Sequence, residues 1–121
     1  MLSLAPGVRV YVSTGVTDMR KSFTGLAALA QHVIEQDPLS GHLFAFCNRR
    51  RNLLKVLFWD GSGFLLLAKR LERGTFAWPQ PEEGATHVDL SGEELGWILS
   101  GLDLAQAERR AWWRREPGLA S

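Results

Sequence analysis

The chain has 121 residues, of which 45% are hydrophobic and 22% are charged, which is the composition of one folded domain and argues against disorder in its middle part. The net charge of +1 hides an asymmetry, since residues 1–81 hold ten Lys and Arg against five Asp and Glu, whereas residues 82–121 hold four against eight. We therefore expect a basic working surface that is kept apart from an acidic region.

The first predicted element is a strand over residues 8–12, where valines alternate with Arg9 and Tyr11. Its one wet face places it near a sheet edge. A helix follows, and Thr17 or Asp18 is expected to cap it. Apolar residues at spacings of three and four draw one stripe along this helix: Met19, Phe23, Leu26, Ala30, Val33 and Ile34. The helix ends at Asp37, because a residue that precedes proline avoids the α region.

Three strands are predicted next, over residues 42–47, 53–59 and 64–70, and short connections join them as antiparallel hairpins. We expect Cys47 to lie opposite Leu53, and Trp59 opposite Phe64. One face of the sheet then carries Leu43, Ala45, Lys55, Leu57, Leu66, Ala68 and Arg70. The other carries Phe44, Phe46, Leu54, Val56, Phe58, Leu65 and Leu67. The second face is expected to meet the helix, and Lys55 and Arg70 become diagonal neighbours on the first.

A further strand is predicted over residues 74–78, after the three hairpin strands. A polar, acidic linker follows over residues 80–85. Asp89 or Ser91 is expected to cap a second helix, with Glu93 and Glu94 in its first turn. Its apolar stripe consists of Leu95, Ile98, Leu99 and Leu102, and Gly101 is its expected stop.

These elements predict an α+β fold. It has a small antiparallel sheet of four or five strands, in the chain order β-α-β-β-β-β-α, with the amphipathic helix packed on one face and a C-terminal helix. Residues 1–102 are expected to form a single α+β domain, and residues 103–121 a basic, Trp-rich C-terminal helix or tail.

Cys47 is the one cysteine, so no disulfide can form within the chain, and its place in an apolar run predicts a small buried side chain. The start of the chain lacks a signal-peptide pattern, and no apolar run approaches the ~20 residues of a membrane span. We expect a cytoplasmic, nucleoid-associated protein without a membrane partner.

Covalent and metal chemistry find little support. The three histidines are far apart, and no Gly-rich loop ends in Gly-Lys followed by Ser or Thr. A metal-dependent nuclease would have to bring together carboxylates drawn from Asp18, Asp60, Glu72 and Asp103. Most of these positions are typical of caps, turns and strand ends. We expect no enzyme activity, no bound metal and no cofactor.

Basic residues interleaved with aromatic ones are the main functional signal, since such a surface attracts a phosphate backbone or an acidic partner. The candidate nucleic-acid-binding residues are Arg20, Lys21, Arg49, Arg50, Arg51, Lys55, Lys69, Arg70 and Arg73. Lys55 is the most telling, because a lone charge in mid-strand costs free energy unless it reaches water or a partner. Three arginines in a hairpin loop are equally typical of a solvated tip. Trp112 and Trp113 are candidates for binding a partner protein or for stacking on bases.

Several motifs together carry a family resemblance. They are residues 17–26 (TDMRKSFTGL), 37–44 (DPLSGHLF), 48–51 (NRRR), Lys55, 59–61 (WDG), 69–72 (KRLE) and 78–79 (WP). In order and spacing they resemble the TnpB-type accessory protein of IS-sixty-six-family bacterial insertion sequences, which is unrelated to the RNA-guided nuclease of the same name. The likeness runs from about Gly7 to Leu102. Cys47 departs from the family pattern, which often has a basic or polar residue there.

The resemblance implies a non-enzymatic accessory factor for transposition, encoded beside a larger transposase that is thought to carry the catalytic carboxylates. The transposase of the same element is the partner that the resemblance implies. DNA, bound with weak sequence specificity, is expected as a partner from the basic and aromatic residues. A homodimer stays open. Three hypotheses remain: a module that binds DNA phosphates, a protein adaptor without direct DNA contact, and a metal-dependent nuclease.

Overall fold

The structure is a computed structural model that describes residues 7–80 and 82–101. These residues contain five β-strands and two α-helices. The strands are β1 Val10–Ser13, β2 Leu43–Cys47, β3 Leu53–Trp59, β4 Phe64–Arg70 and β5 His87–Leu90. The helices are α1 Phe23–Leu29, which continues as a π-helical turn over Ala30–Ile34, and α2 Gly92–Leu99. The α+β class and the predicted chain order are confirmed. Residues 103–121, the predicted tail with Trp112 and Trp113, lie outside the described residues.

The strands form one sheet in the order β4-β3-β2-β1-β5. β2, β3 and β4 pair as antiparallel hairpins, whereas β1 pairs in parallel with β2 and antiparallel with β5. β1 is therefore an interior strand that lies beside the edge strand β5, which agrees with its predicted place near a sheet edge. The face that was predicted to be wet is partly covered, because the Tyr11 ring stacks on Phe44 with 5.6 Å between the ring centroids.

The fifth strand does not lie where the sequence predicts it. Residues 74–78 form a loop whose Phe76 and Trp78 side chains enter the core. The strand is His87–Leu90, which follows the predicted linker over 80–85 and includes Asp89, one of the two predicted helix caps. β5 pairs Asp89 with Tyr11, and the Arg9 side chain binds the Asp89 carboxylate at 2.7 Å. The sequence pattern does not indicate β5 for two reasons. Acidic residues surround Val88 and Leu90, and the partner strand β1 is distant in the chain.

Of the two predicted hairpin registers, one is confirmed and the other is wrong. Trp59 lies opposite Phe64 as predicted, but Cys47 lies opposite Leu54, not Leu53. The ladder continues one residue beyond β2, since the Asn48 N–H donates to the Leu53 carbonyl at 3.1 Å. The Asn48 side-chain oxygen also accepts from the N–H groups of Asn52 and Leu53 at 3.0 and 3.1 Å, which closes the loop early.

Each face of the sheet has its own core, and we name the faces by the helix that covers them. The α1 face buries Leu26, Ala30, Ile34, Phe44, Phe46 and Leu57. The α2 face buries Val10, Val12, Leu43, Ala45, Cys47, Leu54, Val56, Phe76, Trp78, Leu90, Leu95 and Ile98. Because of the register, the predicted place of Leu54, Val56 and Phe58 against the first helix is wrong: they lie on the α2 face, and Leu57 and Leu66 lie on the α1 face.

Helix α1 starts later than predicted. Its N-cap is Ser22, whose side chain makes no capping bond, so the prediction of a Thr17 or Asp18 cap is wrong. Asp18 instead accepts from the Arg20 N–H at 2.9 Å, which forms a separate turn. Glu35 ends the helical stretch in the left-handed conformation, with φ of 62°, shortly before Pro38.

Helix α2 begins as predicted at Ser91, where a capping box is complete. The Ser91 hydroxyl accepts from the Glu94 N–H at 3.2 Å, and the Ser91 N–H donates to the Glu94 carboxylate at 3.0 Å. Leu95 and Ile98 are buried, and Gly101 turns the chain with φ of 81°. No helix in the described ranges is long and apolar enough to cross a membrane.

The two caps make a matched pair for a stability measurement. Ser91→Ala is expected to lower the free energy of unfolding by about 1 kcal/mol, because an orphan N–H loses its acceptor. Ser22→Ala is expected to cost no more than about 0.5 kcal/mol, because Ser22 makes no side-chain capping bond. Urea unfolding of both variants checks this, and equal costs would contradict the assignment of the caps.

Candidate nucleic-acid interface

Three chain segments meet at one end of the sheet, where β2 ends, β3 begins and β4 ends. The hairpin loop over 48–52 lies in the middle. Residues 71–76 pack against it, since Leu71 N–H donates to Asn52 O at 2.8 Å and Phe76 N–H donates to Arg51 O at 2.6 Å. The segment before α1 reaches the same end, because Thr17 N–H donates to Cys47 O at 2.9 Å.

This arrangement brings the sequence-predicted cations to one end of the molecule, which we call the basic end. It consists of Arg20, Lys21, Arg49, Arg50, Arg51, Lys55, Lys69, Arg70 and Arg73. These are nine of the ten Lys and Arg in the described residues, and the tenth is Arg9. Only two of the ten described carboxylates, Asp18 and Glu72, accompany them. The Lys and Arg residues of the described chain are therefore concentrated at one end of the folded domain.

The three loop arginines divide into two kinds. Arg49 and Arg50 are exposed at the tip, where their guanidinium groups meet solvent. Arg51 has a positive φ of 57° and turns inward, with its guanidinium carbon 5.5 Å from the centre of the Trp78 ring, a cation–π geometry. Its Nη1 atom is buried without a hydrogen-bond partner. Burial raises the pKa of the nearby Cys47 thiol, and Arg51 partly opposes that shift.

Lys55 has a structural partner. Its ammonium group crosses the α1 face and donates to the carbonyl oxygens of Met19 at 2.7 Å and Lys21 at 2.8 Å. These bonds offset the cost of a charge in mid-strand, and they tie β3 to the segment that carries Arg20 and Lys21. Lys55 and Arg70 share a face as diagonal neighbours, as predicted, but that face is the one covered by α1.

The cations of β4 and the following loop are more loosely held. Lys69 donates to the Leu99 carbonyl at the end of α2. Arg70 lies 3.7 Å from the Glu72 carboxylate, and both side chains are largely exposed, so this pair contributes little stability. Arg73 is exposed in the loop.

Asp18 is matched by one cation of the basic end. Arg20 donates to its carboxylate at 2.8 Å, and the side-chain and backbone hydrogen bonds from Arg20 lower the pKa of Asp18 from 3.8 to about 2. The same pair raises the pKa of Arg20. Asp18 therefore stays ionised and leaves Lys21 as the uncompensated charge of this segment.

The Asp18 titration gives a direct check of that geometry. Since the folded-state pKa is depressed, the stabilising effect of the ion pair is present above the ordinary pKa of 3.8 and is lost as the pH falls through about 2. A carboxyl-carbon NMR titration of the Arg20→Gln variant is expected to show the Asp18 pKa returning towards 3.8. An unchanged midpoint would contradict the role of Arg20.

The sequence predicts aromatic side chains on the basic surface, but Phe76 and Trp78 are not exposed there. Phe76 and Trp78 are buried, and the Trp78 indole donates to Ser13 O at 2.9 Å. Two other apolar side chains are exposed along the segment before and at the start of α1: Val16 (50% exposed) and Phe23 (45% exposed). The sequence places Phe23 in the apolar stripe of the helix, but in the structure its side chain is exposed.

The carboxylates suggested for a nuclease do not all lie together in the described residues, since Asp18 and Glu72 are at the basic end and Asp60 is not. Asp18 lies beside the start of β3, whereas Asp60 lies beyond its end and accepts from the N–H groups of Ser62 and Gly63 at 2.9 and 3.0 Å in the hairpin turn. Those bonds lower the pKa of Asp60. Within residues 7–80 and 82–101, no three His, Cys, Asp or Glu side chains are grouped so as to hold a metal ion. Asp103 lies outside these ranges.

Comparison with known proteins supplies the family. A family model described as IS66 Orf2 like protein matches residues 8–109. The chain belongs to this family. It is 47% identical over 103 residues to the uncharacterized protein y4hO of Sinorhizobium fredii, covering 85% of this chain and 88% of the relative. It is 36% identical over 110 residues to the uncharacterized protein y4jC of the same organism, covering 91% and 92%. No solved structure matches the chain.

Membership of the IS66 Orf2-like family confirms the resemblance seen in the sequence and points to an accessory role in transposition, in association with the transposase of the element. All nine residues of the basic end lie within the matched part of the chain, whereas Trp112 and Trp113 lie beyond it. The basic end is thus a feature of the part of the chain that the family describes.

Proposed function

We propose that this chain is a non-enzymatic accessory factor of transposition that binds DNA backbone phosphates through the basic end. The observation that carries the proposal is the gathering of nine cations against two carboxylates at one end of the sheet. Such a local excess of positive charge raises the concentration of a polyanion and exchanges its counterions for Lys and Arg.

The contacts within the basic end assign different roles to its members. Arg49, Arg50 and Arg73 are exposed and carry the direct phosphate contacts, together with Lys21. Lys55 acts through its carbonyl bonds, which hold the Lys21 segment against the sheet. Exposed Arg and Lys on loops contact phosphates without reading base edges, so the sequence specificity is weak.

A titration of labelled duplex DNA tests the proposal. Duplexes with the element-end sequence and with a scrambled sequence are titrated with the full chain at a low and a moderate salt concentration. Affinity is expected to be similar for both duplexes and to fall steeply with salt, because each neutralised phosphate releases counterions. The absence of binding at low salt would refute DNA contact.

A protein adaptor is the second candidate function, and the exposed Val16 and Phe23 beside the cations favour it. A surface that mixes apolar and basic groups suits an acidic face of the transposase. Trp112 and Trp113 are proposed to add to that contact. This function predicts that the chain captures the transposase from nuclease-treated extract and that the Phe23→Ser variant captures less of it. Capture that disappears on nuclease treatment would exclude this function.

A further inference from the structure

In the described part of the chain, β4 is an edge strand. β4 is the end strand of the sheet, and no strand of the described residues pairs with its outer side. Because Leu71 N–H donates to Asn52 O in the β3–β4 ladder, the alternate residues Phe64, Leu66, Ala68 and Arg70 present their backbone N–H and C=O groups along the outer edge. Such an edge is a template for the strand of another chain unless it is protected.

An apolar strip runs along this edge on the α2 face. Leu65 is 47% exposed and Leu67 is 42% exposed, and both lie beside β3 on that face, opposite Phe58 and Val56. Helix α2 contacts β4 at its end, where Lys69 donates to the Leu99 carbonyl, and it leaves both leucines more than two-fifths exposed. The described part of the chain thus leaves two leucines uncovered next to unpaired backbone.

Charge runs along the same edge with opposite sign at its two ends. Arg70 stands at the basic end, and the exposed Asp60 stands in the turn before β4, at the other end. Two such edges in antiparallel orientation bring unlike charges together, whereas parallel pairing would bring like charges together. The charges at the two ends of β4 therefore favour an antiparallel neighbour with the same charge pattern. A second copy of the chain has that pattern.

We propose that β4 pairs antiparallel with β4 of a second copy, about a two-fold axis at Leu66. In this register Leu65 lies opposite the partner's Leu67, and Leu67 lies opposite the partner's Leu65, so both exposed leucines are covered. Arg70 then comes level with the partner's Ser62, within side-chain reach of the partner's Asp60. The two sheets form one continuous sheet, and an isologous contact of this kind closes at two chains. The proposal stands independently of DNA binding.

The mass in solution tests the proposal first. The full chain, studied by analytical ultracentrifugation over a wide concentration range, is expected to reach twice its 13.5 kDa. The double variant Leu65→Lys, Leu67→Lys is expected to stay at the monomer mass. Val33→Lys, Leu39→Lys is the matched control, since these side chains are 41% and 51% exposed elsewhere, and it is expected to dimerise as the wild type does.

Disulfide trapping tests the register. Chains with Leu65→Cys and chains with Leu67→Cys are expected to cross-link far more when mixed than either does alone, because position 65 faces position 67. Cys47 is buried and contributes little background. A wild type that remains monomeric would overturn the proposal and would favour cover by residues 102–121 of the same chain. A dimer that survives the two lysines, or equal cross-linking in all mixtures, would overturn it as well.

Discussion

Replacing Arg49 and Arg50 together by glutamine is expected to weaken DNA binding about tenfold and to lower the slope of log affinity against log salt by about two. Both side chains are exposed at the tip of the hairpin loop, so their loss removes phosphate contacts without disturbing the Asn48 bonds that close the loop. The loss is expected to be the same for element-end and scrambled duplex, because phosphate contacts carry no base information. Fluorescence anisotropy at several salt concentrations measures both quantities.

Arg9→Gln is the matched control for the single variants Arg49→Gln and Arg50→Gln. It also removes one arginine, but that arginine lies outside the basic end and is paired with Asp89. Binding by Arg9→Gln is expected to stay close to wild type. If all three single variants lose the same affinity, net charge and not the basic end governs binding. If none loses affinity, the hairpin tip is only a solvated loop.

Lys55→Met is expected to lower the free energy of unfolding by about 2–4 kcal/mol, because two charge-assisted hydrogen bonds are lost and two backbone carbonyls lose their donor. Methionine retains much of the apolar stem, so the packing on the α1 face changes little. The same variant is expected to weaken DNA binding by more than the loss of one surface charge, since the Lys21 segment loses its tie to β3. Urea unfolding and anisotropy measure the two effects.

Lys21→Met is the control for this prediction, because Lys21 lies in the segment that Lys55 holds and its own side chain is exposed. It is expected to reduce DNA binding while changing the free energy of unfolding by no more than about 0.5 kcal/mol. Equal stability of the two variants would show that the carbonyl bonds of Lys55 contribute nothing to the fold. Lys55 would then have to be counted among the direct phosphate contacts instead.

The local parts of the fold were predictable because their causes are local. The hairpin turn after Trp59 follows from Asp60 and two glycines, and the start of α2 follows from Ser91 and Glu94, which make a capping box three residues apart. The chemistry of a cap or a turn involves only neighbours in the chain, so the sequence contains all of it. The family motifs were legible for the same reason, since they are short runs of defined spacing.

Most of the errors concern how strands and segments pair, which the residues of a single strand do not determine. β5 forms because it lies against β1, more than seventy residues earlier, and nothing in the acidic stretch around Asp89 indicates that partner. The β2–β3 register depended on the Asn48 side chain, whose bonds to Asn52 and Leu53 moved the pairing by one residue and exchanged the faces of β3. The role of Lys55 was equally hidden, because its acceptors lie 36 and 34 residues away.

The fold class, the family, the hairpins and the set of cations can be read from the chain alone, since composition, short-range periodicity and turn chemistry are properties of neighbouring residues. The folded arrangement is needed to know which cations face solvent, which aromatic rings are buried, and which edge and leucines the described residues leave uncovered. Those outcomes depend on long-range strand order and on single hydrogen bonds between distant segments, and a one-residue shift in pairing is enough to reverse them.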